Sequence, residues 1–190
     1  MRPATPRHEA ESRQDAKPDR AEVRLPSICG DLDMRIDRQG TWYYQGSPIG
    51  RHALVKLFAT VLRRDEDGAY WLTTPVENGR IEVEDVPFIA VELIRDGQGQ
   101  AQILSFRTNV DDVVVLGPDH PLHIAHPKGQ TDLAPYIRVR GKLDARLARP
   151  VYYHLVELAE PAEGDEDTLG VWSSGHFYPI GRINGPDSPD

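Results

Sequence analysis

Two arginines stand where this chain could hold a phosphate. Arg51 closes the run Trp42-Tyr43-Tyr44-Gln45-Gly46-Ser47-Pro48-Ile49-Gly50 and opens an amphipathic stretch, and Arg149 opens a second one just before Pro150. A helix start carries unpaired backbone N–H groups and the positive end of the dipole, so a guanidinium there adds charge to a place already suited to anions. Trp42, Trp71 and Trp172 offer flat faces to a planar base, and Ser173, Ser174 and His176 add hydrogen-bonding groups beside Trp172. Arginine on phosphate with tryptophan on base is the chemistry of nucleotide recognition, which needs only a few convergent polar groups. The competing reading places the tryptophans in the core and pairs the arginines with neighbouring acids.

Other constellations carry less. Asp31 and Asp33 share one face of an alternating segment and resemble a carboxylate pair that holds a divalent ion, which would suit a metal-dependent hydrolase or transferase. His120, His123 and His126 invite a zinc or iron site, but His123 would oppose the other two on a strand, and Pro121 and Pro127 break any helix that could align them. They read as surface histidines. Cys29, the one cysteine, reads as a small apolar residue at a strand start. The chain has no Gly-x-Ser-x-Gly elbow, no phosphate loop of the Gly-x-x-x-x-Gly-Lys type and no His-Glu-x-x-His helix. Neither a catalytic residue nor a metal or other cofactor is expected.

The elements that would position these groups alternate between strand and helix. Leu32, Met34 and Ile36 alternate with polar residues as in a half-buried strand, and Asp37 to Gly40 turns into an aromatic strand, Thr41 to Tyr44. The spacing of Leu54, Leu57, Phe58, Val61 and Leu62 predicts a helix over 51–64, with Arg63 and Arg64 in its last turn answering the dipole. Asp65 to Gly68 ends it, and Tyr70 to Thr73 follows as a strand. From Ile81 to His126 the chain reads as antiparallel strands, with Ile89, Val91 and Leu93 facing one way before an Asp96-Gly97 turn. Then the plan returns. Ile137-Arg138-Val139 matches Met34-Arg35-Ile36, and a helix begins at Arg149-Pro150, with Arg149 at the cap. Gly164 to Asp167 matches the acidic turn, and Trp172 matches Trp71. Strand, strand, helix, acidic turn and Trp strand recur in that order, which raises a duplication.

Composition bounds the class. A chain of 190 residues suits one mid-sized domain or two small ones, and its 30 acidic against 22 basic side chains, net charge -8, disfavour an extended nucleic-acid surface. One cysteine allows no internal disulfide, no apolar run approaches a membrane span, and no hydrophobic signal core opens the chain, so a cytoplasmic protein is expected. Residues 1–24 contain almost no large apolar side chain and read as a disordered tail, and residues 184–190 as a loose C-terminus.

Several runs resemble a bacterial family catalogued as domain of unknown function number 1285. They are Gly30 to Ile36, Trp42 to Arg51, Tyr70 to Glu77, Val83 to Phe88, Ser105 to Asn109 and Val171 to Gly175. The resemblance implies two domains built by duplication, a C-terminal domain superficially like a pleckstrin-homology domain, a nucleotide-type ligand between the domains and a role in signalling. It brings no catalytic residue. The expected architecture is therefore α+β with mainly antiparallel sheet, an N-terminal domain over 25–80 and a C-terminal domain over 81–183. The expected function is binding of a small phosphorylated or nucleotide-like ligand at the interface, relayed to a protein partner. Arg51, Arg80, Arg107 and Arg149 would hold phosphate, Trp42 or Trp172 would stack the base, and Thr74, Asn109, Ser173 and Ser174 would supply hydrogen bonds. A ligand-free protein-interaction module is the rival reading, and the oligomeric state is open between monomer and homodimer.

Overall fold

The structure is a computed structural model in which residues 27–183 are described, with side chains from Gly30 onward. The expected tail over 1–24 and the expected loose end over 184–190 lie outside the described residues.

Strands dominate. β1 (Ser27–Ile36), β2 (Trp42–Tyr44) and β3 (Ser47–Pro48) form an antiparallel meander, followed by α1 (His52–Val61) and a second meander of β4 (Leu62–Arg64), β5 (Tyr70–Thr73) and β6 (Glu77–Val83). β7 (Phe88–Asp96), β8 (Ile103–Thr108) and β9 (Val113–Val115) make a third, with a short 3-10 turn at Gly99–Ala101 before β8. β10 (Leu122–Ala125), β11 (Ala134–Arg140) and β12 (Leu143–Leu147) make a fourth. α2 (Arg149–Glu157) then leads into β13 (Glu160–Ala162), β14 (Asp165–Ser173) and β15 (His176–Arg182). All strand pairs are antiparallel except β1 with β6 and β12 with β7.

Those two parallel pairs organise the molecule. The first sheet runs β3-β2-β1-β6-β5-β4 and the second β10-β11-β12-β7-β8-β9, so each joins two meanders through a central parallel pair. Read from the other edge, the second sheet is the first with every strand number raised by six. β13-β14-β15 forms a third, smaller sheet. The segments matched in the sequence, Met34–Ile36 and Ile137–Val139, occupy unlike places. The first lies on the central strand β1, the second on β11, one strand out from the centre.

The helix over 51–64 needs correction. It ends at Val61, and residues 62–64 become β4, where Leu62 pairs with Leu72 and is fully buried. Pairing with β5 satisfies three backbone positions and overrides the helical periodicity. The buried stripe of α1 is Val55 and Ala59, with Phe58 half-buried over the Trp42 ring at 6.2 Å, while Leu57 faces outward at 60 % exposure. Arg149 is the first helical residue rather than the cap, which is Ala148. In β7 a bulge between Ala90 and Glu92 turns Val91 outward, while Ile89 and Leu93 stay buried.

One hydrophobic core spans both large sheets, from Ile36, Trp42 and Leu62 to Phe88, Phe106, Ile137 and Leu155. Polar stitches cross the junction above it. Asn109 donates through Nδ2 to Gly40 O at 3.1 Å and accepts from Ile89 N through Oδ1 at 3.0 Å, while its carbonyl accepts from His52 Nε2 at 2.9 Å. Arg140 reaches across to Ala59 O at 2.6 Å and pairs with Asp112. Asp85, just before the second sheet, accepts the Tyr136 hydroxyl at 3.1 Å and faces Arg146 at 3.6 Å. Among the described residues no helix is long and apolar enough to cross a membrane.

Candidate functional site

Arg149 lines a crevice of about 990 Å3. Its position follows from the strand before it. Arg146 and Leu147 pair with Ile89 and Ala90 of β7, and Ala148 donates its N–H to Ala90 O at 3.0 Å, which ends the strand. Ala148 then accepts from Tyr152 N at 3.0 Å, and Pro150 pre-sets the first helical turn, so Arg149 and Tyr152 are delivered to one place at the β12–α2 corner. The start of β11 and the end of β15, with Ile180 and Arg182, supply further walls.

The remaining wall comes from the other half of the molecule. Gln39 lies in the β1–β2 turn, and that turn is held from both sides. Asp37, buried, accepts Gln39 N and Thr41 N through Oδ1, each at 2.9 Å, and the Tyr43 hydroxyl through Oδ2 at 3.1 Å. Arg146 Nη2 donates to Arg38 O at 2.6 Å, and Asn109 holds Gly40 O. Gly40 has φ +79°, and a Cβ there would lie 2.6 Å from Asn109 Nδ2 and 2.9 Å from Ile89 Cγ1. Only glycine permits this turn to close on the second sheet.

Among the described residues, Arg146, Arg149 and Arg182 are the charged ones lining the crevice, and no carboxylate lines it. Two of them are answered: Arg146 by Asp85, and Arg182 by Asp165 at 3.5 Å. The Arg149 side chain, exposed, has no ion-pair or hydrogen-bond partner among the described residues. The crevice therefore presents one open positive charge beside apolar walls, which suits a small anion.

The other expected ligand residues lie elsewhere. Trp42 is 1 % exposed and packed on Phe58, so it is core and has no free face for a base. Ser173 is fully buried, accepting Leu104 N at 3.1 Å and donating to Leu116 O at 2.9 Å, so its hydroxyl is consumed in joining β14 to β8 and to the residue after β9. Trp172 is half-buried with its ring edge-on to Phe177, and Ser174 holds the β14–β15 turn at φ 51°. Thr74 closes the β5–β6 turn through Glu77 N at 3.0 Å. Arg107 is committed to Glu92 at 2.6 Å and Asp111 at 3.2 Å, which hold its proton more firmly than usual. Asn109 is the junction stitch already described. Arg51 caps α1 with its carbonyl, accepting Leu54 N and Val55 N, and its side chain is exposed. Arg80 lines a separate groove of about 500 Å3 on the first sheet, together with Asp31, Asp33 and Glu82. Of the ten, only Arg149 lines the larger crevice.

Among the described residues no three His, Cys, Asp or Glu side chains are grouped to hold a metal ion. His120 meets Arg138 O at 3.0 Å, whereas His123 stacks on Tyr136 with ring centroids 5.5 Å apart. Both His123 and Tyr136 line a second cleft of about 510 Å3 between the β4–β5 turn and β10–β11. Burial, then the adjacent Asp85 carboxylate, pushes the Tyr136 phenol well above its ordinary range. Sequence reasoning missed Gln39, Asp85, Tyr136 and Arg146 as junction residues. The available signal was the crowding of Asp37 to Gly40, a turn with a buried acid, whose partners come from far along the chain.

Residues 22–86 match the domain of unknown function DUF1285, N-terminal domain, and residues 87–180 match the protein of unknown function DUF1285, C-terminal domain. The crystal structure of a DUF1285 family protein from Silicibacter pomeroyi DSS-3 is similar over 91 % of this chain and 91 % of that one, with 41 % identity and a TM-score of 0.77. A second DUF1285 structure, from Shewanella baltica OS155, is similar over 66 % of this chain and 91 % of its own, with 28 % identity and a TM-score of 0.53. A comparison with curated proteins gives no match. With both of its domains matched in order along one chain, this protein belongs to the DUF1285 family.

Proposed function

We propose that the chain binds a small anionic ligand in the crevice beside Arg149, and that occupancy is relayed to a protein partner in signalling. A nucleotide-type molecule is the ligand that the resemblance implies, and a small phosphorylated one fits the same chemistry. One observation carries the reading: among the described residues, an unanswered guanidinium opens onto a crevice walled by both halves of the molecule and free of carboxylates. The Gln39 wall gives occupancy a route to the domain junction, because the same turn is held by Arg146 and Asn109. The test is calorimetric titration of inorganic phosphate and AMP into wild type and Arg149→Ala. Wild type is expected to bind at least one of them, and the variant to bind it at least about tenfold more weakly, as befits loss of a charge-assisted hydrogen bond. Equal binding by both proteins removes the site from this crevice.

The same proposal extends to the fold. The shared strand order of the two six-stranded sheets supports a duplication whose units are β1–β6 and β7–β12. The presence of a third, separate sheet after α2 supports a pleckstrin-like reading of the C-terminal half.

A second reading, an interaction module, has one observation in its favour. β9 is an edge strand, and its Val113 and Val115 are 56 % and 43 % exposed beside exposed Ile94 and Ile103. Cross-linking that is lost in Val113→Lys while AMP and phosphate binding are absent from wild type would favour it.

A further inference from the structure

The walls of the crevice say what the anion is attached to. We infer that the crevice takes an amphipathic anion, a single phosphate or carboxylate head on an acyl or aryl body, captured as a monomer from solution. This rests on the anion site proposed above and specifies its ligand.

Three observations point the same way. Among the described residues, Ile89, Ile124, Leu133, Pro135, Leu147 and Ile180 supply most of the wall, and apart from the arginines only Gln39 and Tyr152 bring polar side-chain atoms. A nucleotide would present base edges and ribose hydroxyls to this surface, and polar groups desolvated without partners disfavour binding. An acyl or aryl body instead gains by leaving water. Charge gives the second observation. Arg146 and Arg182 already face Asp85 and Asp165, so among the described lining residues Arg149 alone is left to be answered, which matches one anionic head rather than a chain of phosphates. Size gives the third: about 990 Å3 lies at the upper end of small-molecule pockets and accommodates a head with an extended apolar body. Leu133, 61 % exposed at the rim, is placed to cover that body.

The experiment compares decyl phosphate below its micelle concentration, inorganic phosphate, AMP and phosphatidylglycerol vesicles as ligands of the full chain. Wild type, Arg149→Ala and Leu133→Asp are used, and each fold is checked by circular dichroism. Decyl phosphate is expected to bind wild type at least about tenfold tighter than AMP or inorganic phosphate, in line with burial of an apolar chain. Arg149→Ala should weaken decyl phosphate about tenfold or more, the effect of removing a charged hydrogen-bond donor. Leu133→Asp should weaken decyl phosphate while leaving inorganic phosphate unchanged. AMP binding as tightly as decyl phosphate, with both weakened by Arg149→Ala, overturns the ligand class and leaves the anion site standing. Decyl phosphate binding that ignores both variants overturns the ligand class and the site together. Binding to vesicles without binding of the monomer overturns the inference in favour of a membrane surface. If Arg149→Ala does not fold, Leu133→Asp decides, because its surface position spares the core; decyl phosphate bound as well as by wild type refutes the apolar wall.

Discussion

Asn109 holds the junction by more bonds than its size suggests. Its side chain satisfies Ile89 N and Gly40 O, its own N–H donates to Ile89 O at 2.8 Å, and its carbonyl meets His52. Asn109→Ala removes both side-chain bonds and leaves Ile89 N without an acceptor. The expected loss is about 2–3 kcal/mol of unfolding free energy, measured by urea denaturation. Gly40 faces the same amide. Gly40→Ala forces a side chain into a left-handed backbone and against Asn109 and Ile89, so it should cost at least about 2 kcal/mol. A variant as stable as wild type would mean that the β1–β2 turn is free to move off the second sheet.

At the scale of elements, two hairpin turns after the two helices use the same carboxylate device. In the β4–β5 turn, Asp65 accepts Ala69 N at 2.8 Å and Trp71 Nε1 at 2.7 Å. At the start of β14, Asp165 accepts Asp167 N at 3.2 Å and the Thr168 hydroxyl at 2.8 Å. The Trp71 hydrogen bond first, aided by backbone donors, holds the Asp65 carboxyl below its usual range, and the Thr168 hydroxyl first, then Arg182, does the same for Asp165. A lowered folded value means that the stabilisation is complete above the unfolded carboxylate range of about 4 and is lost as pH falls through the folded value. Asp65→Ala should therefore lower the melting temperature at pH 6, and the gap from wild type should narrow as the pH approaches about 2. A gap that stays constant down to that pH would assign the effect to turn geometry rather than to charge. The acidic turn visible in the sequence is thus a structural feature, although it joins the two strands of a hairpin and does not end a helix. Arg63 shows the same shift of context. Expected in the last helical turn, it lies on β4, yet its guanidinium still reaches back to Thr60 O at 3.0 Å and Leu62 O at 2.7 Å, meeting the α1 end from outside.

At the scale of the whole molecule, the two family domains share one core and a polar seam, so they should not unfold separately. Differential scanning calorimetry is expected to give a single transition whose calorimetric and van't Hoff enthalpies agree. Two resolved transitions would show that the seam of Asn109, Arg140 and Asp85 carries little coupling. The seam also predicts an alkaline limit. Burial and Asp85 raise the Tyr136 phenol, and burial raises that of Tyr70, relative to the unfolded chain. Their stabilisation is whole below about pH 10 and declines as the pH rises toward the folded values, because the unfolded chain releases phenolic protons that the folded one keeps. Absorbance titration at 295 nm should show these phenols ionising only with unfolding.

Much of this architecture is local enough to be written along the chain. The alternation of Leu32, Met34 and Ile36, the Asp37–Gly40 turn, Pro150 at a helix start and the Tyr70–Thr73 strand depend on nearest neighbours and on burial of one face, and each is legible from residue type and period. The family motifs add the two-domain order. Tertiary structure decided the rest. Residues 62–64 left a helical pattern because β5 offered them a ladder, and Val91 turned outward because of a bulge. The arginines look alike in sequence, but Arg107 is consumed by Glu92 and Asp111, while Arg149 keeps its charge open over a crevice. Trp42 and Trp172 likewise differ only by what packs on them. Whether a guanidinium or a ring is free to bind depends on which side chains strand pairing and helix packing bring beside it, near or far along the chain, and the sequence encodes those partners only through the finished fold.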